Sequence, residues 1–217
     1  MNKLFATVSL VALTVSAAAN ADQAWPRWYV GLSGGLTYLD DSDVSGTSTG
    51  EQGFDMGGVA AISLGYQMPF GMQPFSNMRM ELEAAYHENS LDNTTLSGVS
   101  TASPGKLRVA SYMVNAFYDF RNNSQMTPYV GGGAGIATAI LSHNSGLGNT
   151  ADDEDNTMAY QFMAGLSYAP TSMPNTEWGF GYRYFVVDSP EYTTATGKVK
   201  LDDVTAHTAE VGARFKF

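Results

Sequence analysis

The chain shows an alternation of apolar and polar positions that recurs in eight segments along its length. Successive side chains of a β-strand point to opposite faces, so a period of two predicts strands with one apolar and one polar face. The segment from Met78 to His87 is the most informative. Its apolar positions alternate with a polar and charged set, namely Arg79, Glu81, Glu83, Ala85 and His87. A soluble sandwich could bury that set only at a high cost, whereas a membrane barrel turns it towards a polar interior.

Eight strands are predicted, at Trp28–Leu39, Phe54–Gln67, Met78–His87, Leu107–Phe120, Pro128–Ile140, Tyr160–Tyr168, Trp178–Val186 and Val204–Phe217. Short turns rich in Pro and Asn are expected at 68–77, 121–127 and 169–175, and the other connections are longer and polar. Short turns at one end and long loops at the other are typical of outer-membrane barrels. The predicted fold class is all-β, an eight-stranded antiparallel transmembrane β-barrel.

The two ends of the barrel sheet must meet. Unpaired backbone polar groups are expensive in hydrocarbon, so the last strand is expected to pair with the first. The last eight residues, from Glu210 to Phe217, combine the alternation with an aromatic carboxyl end. In this arrangement Gly212, Phe215 and Phe217 resemble the signal by which the outer-membrane assembly machinery recognises its clients. That machinery is therefore an expected partner.

Residues 1–21 are predicted to be a signal peptide that is cleaved from the mature protein. A positive start with Lys3 precedes an apolar run from Leu4 to Val15, and Ala19 to Ala21 form a small-x-small cleavage site. The alternative is a membrane anchor, but the run is well short of the ~20 residues that a spanning helix needs. Residues 22–217 are expected to form one barrel domain.

The composition excludes several classes of function. Asp and Glu number 21 against 11 Lys and Arg, giving a formal charge of −10. This balance disfavours nucleic acid as a partner, because nucleic acid requires a basic footprint. Cysteine is absent, so no disulfide framework or thiolate metal site is expected. No cofactor is expected either.

Five stretches of the chain resemble a known group of proteins. They start at Trp28-Tyr29-Val30-Gly31 and continue with Met80–Tyr86, Thr127–Gly135, Gly181–Phe185 and Val211–Phe217. The chain resembles the small eight-stranded outer-membrane β-barrels of the OmpA/OmpX type, and more closely the barrel-only surface-antigen or opacity-type proteins. The resemblance implies a protein of the cell outer membrane, in contact with its lipid and lipopolysaccharide. It specifies the fold more than the function.

Charged residues are expected to face the lumen of the barrel. By alternation these are Arg79, Glu81, Glu83, Asp119, Glu177, Arg183, Glu210, Arg214 and Lys216. One interpretation is a structural network of ion pairs, because lone charges are costly in a narrow interior. The alternative is a gate or a polar ion path. Pairing predicts that Glu81 or Glu83 lies within hydrogen-bonding reach of a basic residue on the last two strands.

Aromatic residues near the strand ends are expected to anchor the barrel at the two membrane interfaces. They are Trp25, Trp28, Tyr29, Tyr38, Tyr66, Tyr86, Tyr118, Tyr168, Trp178, Tyr182 and Phe217. Carbohydrate stacking is the alternative use of such rings.

No catalytic or metal site is expected. The acidic run from Asp152 to Asp155 lacks the Gly turn and the distal Glu of an EF-hand loop, so a solvated loop tip is the better interpretation. Catalysis would need a nucleophile beside an oriented base, and the chain has three histidines. Of these, His87 is the best candidate, because Glu88 and Ser90 lie nearby in the sequence. The chain is therefore not expected to be an enzyme.

Function is expected to lie in the long loops, because recognition usually resides in loops on a rigid scaffold. The leading hypothesis is a surface antigen or adhesion-type protein with a structural role in the envelope, whose loops meet a host or surface ligand. A narrow porin or small-solute channel is the alternative. A lipid-modifying barrel enzyme is a third possibility.

Overall fold

The computed structural model describes residues 28–39, 42–46, 50–54, 56–68, 75–96, 99–143, 154–188, 191–194, 197–201 and 203–217. Within these residues the strands are β1 Trp28–Leu39, β2 Ser42–Gly46, β3 Gly50–Phe54, β4 Gly57–Gln67, β5 Met78–Leu96, β6 Val99–Asp119, β7 Met126–His143, β8 Glu154–Tyr168, β9 Thr176–Val187, β10 Glu191–Thr194, β11 Gly197–Leu201 and β12 Val204–Lys216. A short 3-10 turn, Phe75–Asn77, precedes β5. No helix in the described ranges is long and apolar enough to cross a membrane.

Eight of these strands form a closed antiparallel barrel. The order around the wall is β1, β4, β5, β6, β7, β8, β9 and β12. β12 returns to pair with β1 along its whole length, from Tyr29 opposite Lys216 to Leu39 opposite Ala206. Beyond the strand, the backbone N–H of Phe217 donates to the carbonyl of Trp28 at 2.9 Å. The predicted closure of the last strand on the first is confirmed.

The strands are staggered around the barrel. A path that starts at Tyr29 and passes from each residue to its partner on the next strand returns to β1 at Leu39. The start and the end of this path are ten residues apart. A stagger of this size tilts the strands by about 40° to the barrel axis, and an eight-stranded barrel is just wide enough for its own side chains to fill.

The alternation assigns nearly every side chain to the correct face. Inward residues such as Asn115, Gln161 and Thr208 are fully buried, whereas outward residues such as Leu36 and Tyr112 are 64% exposed. Exposed aromatics cluster at two levels of the outer wall, near the short turns and near the loops. The turn-end rings are Trp28, Tyr118, Tyr168 and Trp178, and the loop-end rings are Tyr38, Tyr86, Tyr112 and Tyr160. They form the two aromatic belts expected at membrane interfaces.

Two expectations about the outer wall were wrong. Tyr29 was expected among the interface aromatics, but it points inward and is 3% exposed, because its ring packs in the lumen and its hydroxyl donates to Glu81. The alternation that turns Trp178 and Phe180 outward also predicts an outward Val186, but Val186 is 1% exposed, at the end of β9 where β10 comes close to β8. The interface residue Trp25 and the signal peptide 1–21 lie outside the described residues.

The strands run further towards the loops than predicted. β5 and β6 continue past His87 and Leu107 and remain paired up to Leu96 opposite Val99. Phe54 belongs to β3 and not to the second barrel strand. Glu154 and Asp155, expected in a loop, begin β8, and the first half of that acidic run lies outside the described residues. Above the membrane the outward face is no longer required to be apolar, so the alternation fades although the backbone pairing persists.

These extensions build a second structure on the loop end of the barrel. β3 pairs with β5, β2 with β3, β11 with β2, and β10 with β11. We call this layer the loop sheet, consisting of β10, β11, β2, β3 and the ends of β5 and β6. Three of the four long connections contribute to it, so they form an ordered sheet continuous with the barrel wall.

Closure of the barrel depends on a close approach at Gly212. A Cβ built there would lie 2.8 Å from the carbonyl oxygen of Leu32 and 2.9 Å from the Cβ of Ser33 on β1. Gly179 pairs directly with Gly212 from β9, yet a Cβ at that position would meet nothing within 4 Å.

We expect Gly212→Ala to lower the free energy of unfolding by about 1–3 kcal/mol, because the added methyl overpacks the seam. Gly179→Ala is the matched control and should be neutral or slightly stabilising. Urea unfolding in lipid vesicles, followed by heat-modifiable gel migration, measures both. Equal behaviour of the two variants would contradict a tight seam at β1 and β12.

Candidate functional site

The interior of the barrel is the candidate site, and its turn end holds a first group of charges. The guanidinium of Arg79 bonds Asp119 at 3.1 Å through Nε and contacts Glu81 through Nη1. Tyr29 also donates to Glu81, at 2.6 Å. The Arg79 guanidinium lies 3.7 Å from the centre of the Phe117 ring, which is a cation–π contact.

Glu177 anchors the outermost charges at the same end. Its carboxylate accepts bonds from Arg214 at 2.5 Å and from Lys216 at 2.7 Å. Arg214 also contacts the hydroxyl of Ser167. These contacts connect β9 and β12 with β8.

A second group lies in the middle of the barrel around Arg183. Its two terminal nitrogens bond the two oxygens of Glu83 at 2.6 and 2.9 Å, and Nη2 also bonds Glu210 at 3.0 Å. Gln161 donates to Glu83 at 3.1 Å and to Asn115 at 2.8 Å. The expected contact between a glutamate of β5 and a basic residue of the last two strands is therefore present, between Glu83 and Arg183.

The structure thus gathers the nine predicted lumen residues into three contacting groups. They are Arg79 with Glu81 and Asp119, Glu83 with Arg183 and Glu210, and Arg214 with Lys216 through Glu177. A cavity of about 70 Å³ remains between the groups, lined by charged residues and by small ones such as Gly31, Ser33 and Ser63. It has room for a few water molecules.

The loop end of the lumen is apolar, which the sequence analysis missed. A buried cluster closes the barrel above the charges, and we call it the apolar plug: Leu39, Val109, Met113, Ala137, Ala159, Phe185, Val187, Val204 and Ala206. A cavity of only about 10 Å³ lies beside it. The sequence carries the signal for this cluster, since all nine residues occupy inward positions by alternation.

A polar layer separates the plug from the charges. Thr37 and Thr208 share a 2.9 Å hydrogen bond across the seam. The ring of His87 stacks on Phe185, with centroids 4.8 Å apart and planes at 12°. Neither ring nitrogen of His87 has a hydrogen-bond partner, and the same holds for the hydroxyl of Ser111. All of these groups are buried.

The structure does not bring the candidate catalytic residues His87 and Glu88 together. His87 faces the lumen and is 4% exposed, while the carboxylate of Glu88 bonds Arg108 on the outer wall. His207 also lies on the outer wall, where Nδ1 is 2.5 Å from the hydroxyl of Tyr182. Among the residues that the structure describes, no group of three or more His, Cys, Asp or Glu could hold a metal ion.

The predicted assembly residues lie along the seam. Phe215 and Phe217 face outward, 45% and 39% exposed, close to Trp28 at the turn end. Gly212 occupies the tight approach to β1 described above.

A closed eight-stranded barrel with two aromatic belts and a filled lumen defines a class, the small outer-membrane β-barrel proteins of bacteria. The chain belongs to the family described as "Outer membrane protein beta-barrel domain", which it matches over residues 6–217. It is a protein of the bacterial outer membrane.

Individual relatives agree with this assignment. The outer membrane protein PagN of Salmonella typhimurium is 26% identical over 234 residues, covering 97% of this chain and 94% of PagN. Neisserial surface protein A is 20% identical, with a TM-score of 0.58 over 90% of this chain and 100% of that structure. OprG of Pseudomonas aeruginosa is 14% identical, with a TM-score of 0.59 over 89% and 98%. The two solved structures share the fold.

The central ion pairs should matter more than those at the turn end. We expect Arg183→Met to lower the free energy of unfolding by about 3–5 kcal/mol, because Glu83 and Glu210 lose the cation they share in a buried setting. Lys216→Met is the matched control: its side chain is 22% exposed and Glu177 keeps Arg214, so the loss should be about 1 kcal/mol or less. Denaturant unfolding in vesicles measures both. Losses of the same size would show that burial does not set the strength of these pairs.

Proposed function

We propose that the protein is a rigid, non-conducting barrel that presents its loop sheet to a partner outside the cell. The observation that carries this proposal is the closed interior. Buried ion pairs cross the middle of the lumen, and the apolar plug fills its outer end. In the described part of the barrel, ion pairs and the plug occupy the interior, which leaves the surface outside the membrane as the place for a specific activity.

The loop sheet supports a recognition role. Its strands come from three connections that are far apart in sequence, and it is held in register by backbone pairing from β10 to β5. A surface fixed in this way costs little conformational entropy on binding, which favours affinity. A surface-antigen or adhesion-type role in contact with a host or surface ligand follows from such a platform.

The narrow channel is the weaker candidate. An ion that passed Arg183 would cross the polar layer and then meet Val109, Val187 and Val204 in the plug. An apolar constriction of this kind excludes water and ions. Catalysis is the weakest candidate, because His87 and Glu88 lie on opposite faces of the wall.

The ends of the chain complete the proposal. We assign Gly212, Phe215 and Phe217 to recognition by the barrel assembly machinery, since the two rings lie exposed beside the β1–β12 seam. The signal peptide 1–21 would direct export of the chain across the inner membrane, before that machinery acts on it.

Purified protein reconstituted in planar bilayers is expected to give no steady current, because the plug interrupts the polar interior. Glu83→Gln and Arg214→Gln should be equally silent. A steady, ion-selective current from the unmodified protein, altered by either substitution, would make the channel the better assignment.

Removing part of the loop sheet should abolish binding and spare the barrel. Val204 pairs directly with Val187, so a short turn can replace residues 189–202 without moving the wall. We expect bacteria that carry this variant to adhere to epithelial monolayers no better than bacteria without the protein. An exchange of the same kind in the turn at 121–125 is the control and should leave adhesion intact. Full adhesion by the first variant, with normal amounts of folded barrel, would contradict the proposed role of the sheet.

A further inference from the structure

An ion pair occupies the outer wall of the barrel near the loop end. Glu88 and Arg108 are direct partners in the β5–β6 ladder, and Arg108 Nε donates to Glu88 Oε2 at 3.0 Å. Their side chains are 37% and 38% exposed. The neighbouring inward residues His87 and Val109 are buried, so the alternation places the pair on the side that faces lipid.

The level of the pair is set by the outer aromatic belt. Glu88 lies two residues beyond Tyr86 towards the loop end, and Arg108 lies four residues beyond Tyr112. A strand rises ~3.3 Å per residue and is tilted here by about 40°. Glu88 therefore lies about 5 Å above Tyr86 along the barrel axis, and Arg108 about 10 Å above Tyr112. Belt tyrosines lie at the boundary between acyl chains and head groups. The ion pair therefore stands at the level of the head groups of the outer leaflet.

Stability does not account for a charge pair at this level. An ion pair with both side chains more than one-third exposed contributes little to folding. The other strand-borne arginines with described side chains, Arg79, Arg183 and Arg214, are directed into the lumen and hold carboxylates there. Among the strand arginines with described side chains, Arg108 is thus the one on the lipid-facing side of the wall.

The chain as a whole repels anionic lipid, since its formal charge is −10. The outer leaflet of an outer membrane is lipopolysaccharide, whose lipid A carries phosphate groups at the head-group level. Guanidinium groups bind phosphate through paired charge-assisted hydrogen bonds. A guanidinium at the head-group level of an acidic protein can therefore bind the lipid A of this leaflet specifically.

We propose that Arg108 binds a phosphate of lipid A, and that the Glu88 carboxylate competes with this phosphate for the guanidinium. The proposal depends on the outer-membrane location and not on the recognition role of the loop sheet, so either can fail without the other. It gives the barrel a fixed contact with its own membrane, separate from any partner of the loops.

Neutral substitutions of Arg108 and Glu88 are expected to have different effects on the retention of lipid A. The full protein is reconstituted in phosphatidylcholine vesicles that contain bisphosphorylated lipid A, dephosphorylated lipid A or phosphatidylglycerol, and the lipid retained is measured by native mass spectrometry. We expect preferential retention of bisphosphorylated lipid A, reduced about tenfold in Arg108→Gln, the loss expected for one hydrogen-bonded contact to a charged group. Glu88→Gln should retain as much lipid A as the unmodified protein, or more, because the competing carboxylate is gone.

Arg121→Gln is the control for non-specific attraction, because Arg121 lies in the turn after β6 at the opposite end of the barrel. It should leave the preference unchanged. Equal losses in Arg108→Gln and Glu88→Gln would show that the pair only braces β5 against β6 and would overturn the proposal. Undiminished retention in Arg108→Gln, or equal retention of phosphatidylglycerol and lipid A, would overturn it as well.

Discussion

The whole structure depends on the pairing of backbone N–H and C=O groups in a medium without water. Each unpaired group in hydrocarbon is costly, so the sheet can have no free edge within the membrane. β12 meets this requirement by pairing with β1 from Tyr29 to Leu39. The ten-residue stagger of the wall follows from the same closure, and so does the requirement for glycine at position 212, where a Cβ would lie 2.8 Å from the carbonyl oxygen of Leu32.

Closure also determines what the interior can be. Eight strands leave space for side chains and little else, so charges that alternate inward must satisfy one another. Arg79 and Arg183 each hold two carboxylates, and Glu177 holds two cations. Nearer the loops the inward residues become apolar and pack as the plug. The barrel is therefore a filled support, and its distinctive surfaces are the outer wall and the loop sheet.

The fold and much of the lumen could be predicted because the membrane imposes a simple rule on sequence. Wherever lipid touches the wall, every second residue is apolar, and the opposite set faces inward; this rule located the eight strands and brought Glu83 and Arg183 to the same face. It could not define the loop sheet, since strands in water need no apolar face. Tyr29 was misplaced for another reason. Aromatic residues near strand ends are expected at the membrane interface, but a tyrosine there can equally form a hydrogen bond to a buried carboxylate, as Tyr29 does to Glu81.

The central claim is that the lumen is sealed from water-soluble molecules, and the absence of cysteine from the chain permits a direct measurement. Ser33→Cys places a thiol at the cavity among the charges, beneath the plug, and Asn123→Cys places one on an exposed turn. Folded protein in lipid is exposed to an anionic maleimide, and the labelling rates of the two thiols are compared with their rates after unfolding. A sealed lumen predicts rapid labelling at position 123 and very slow labelling at position 33 until the barrel unfolds. Labelling of position 33 in the folded barrel at a rate close to that of position 123 would contradict the account.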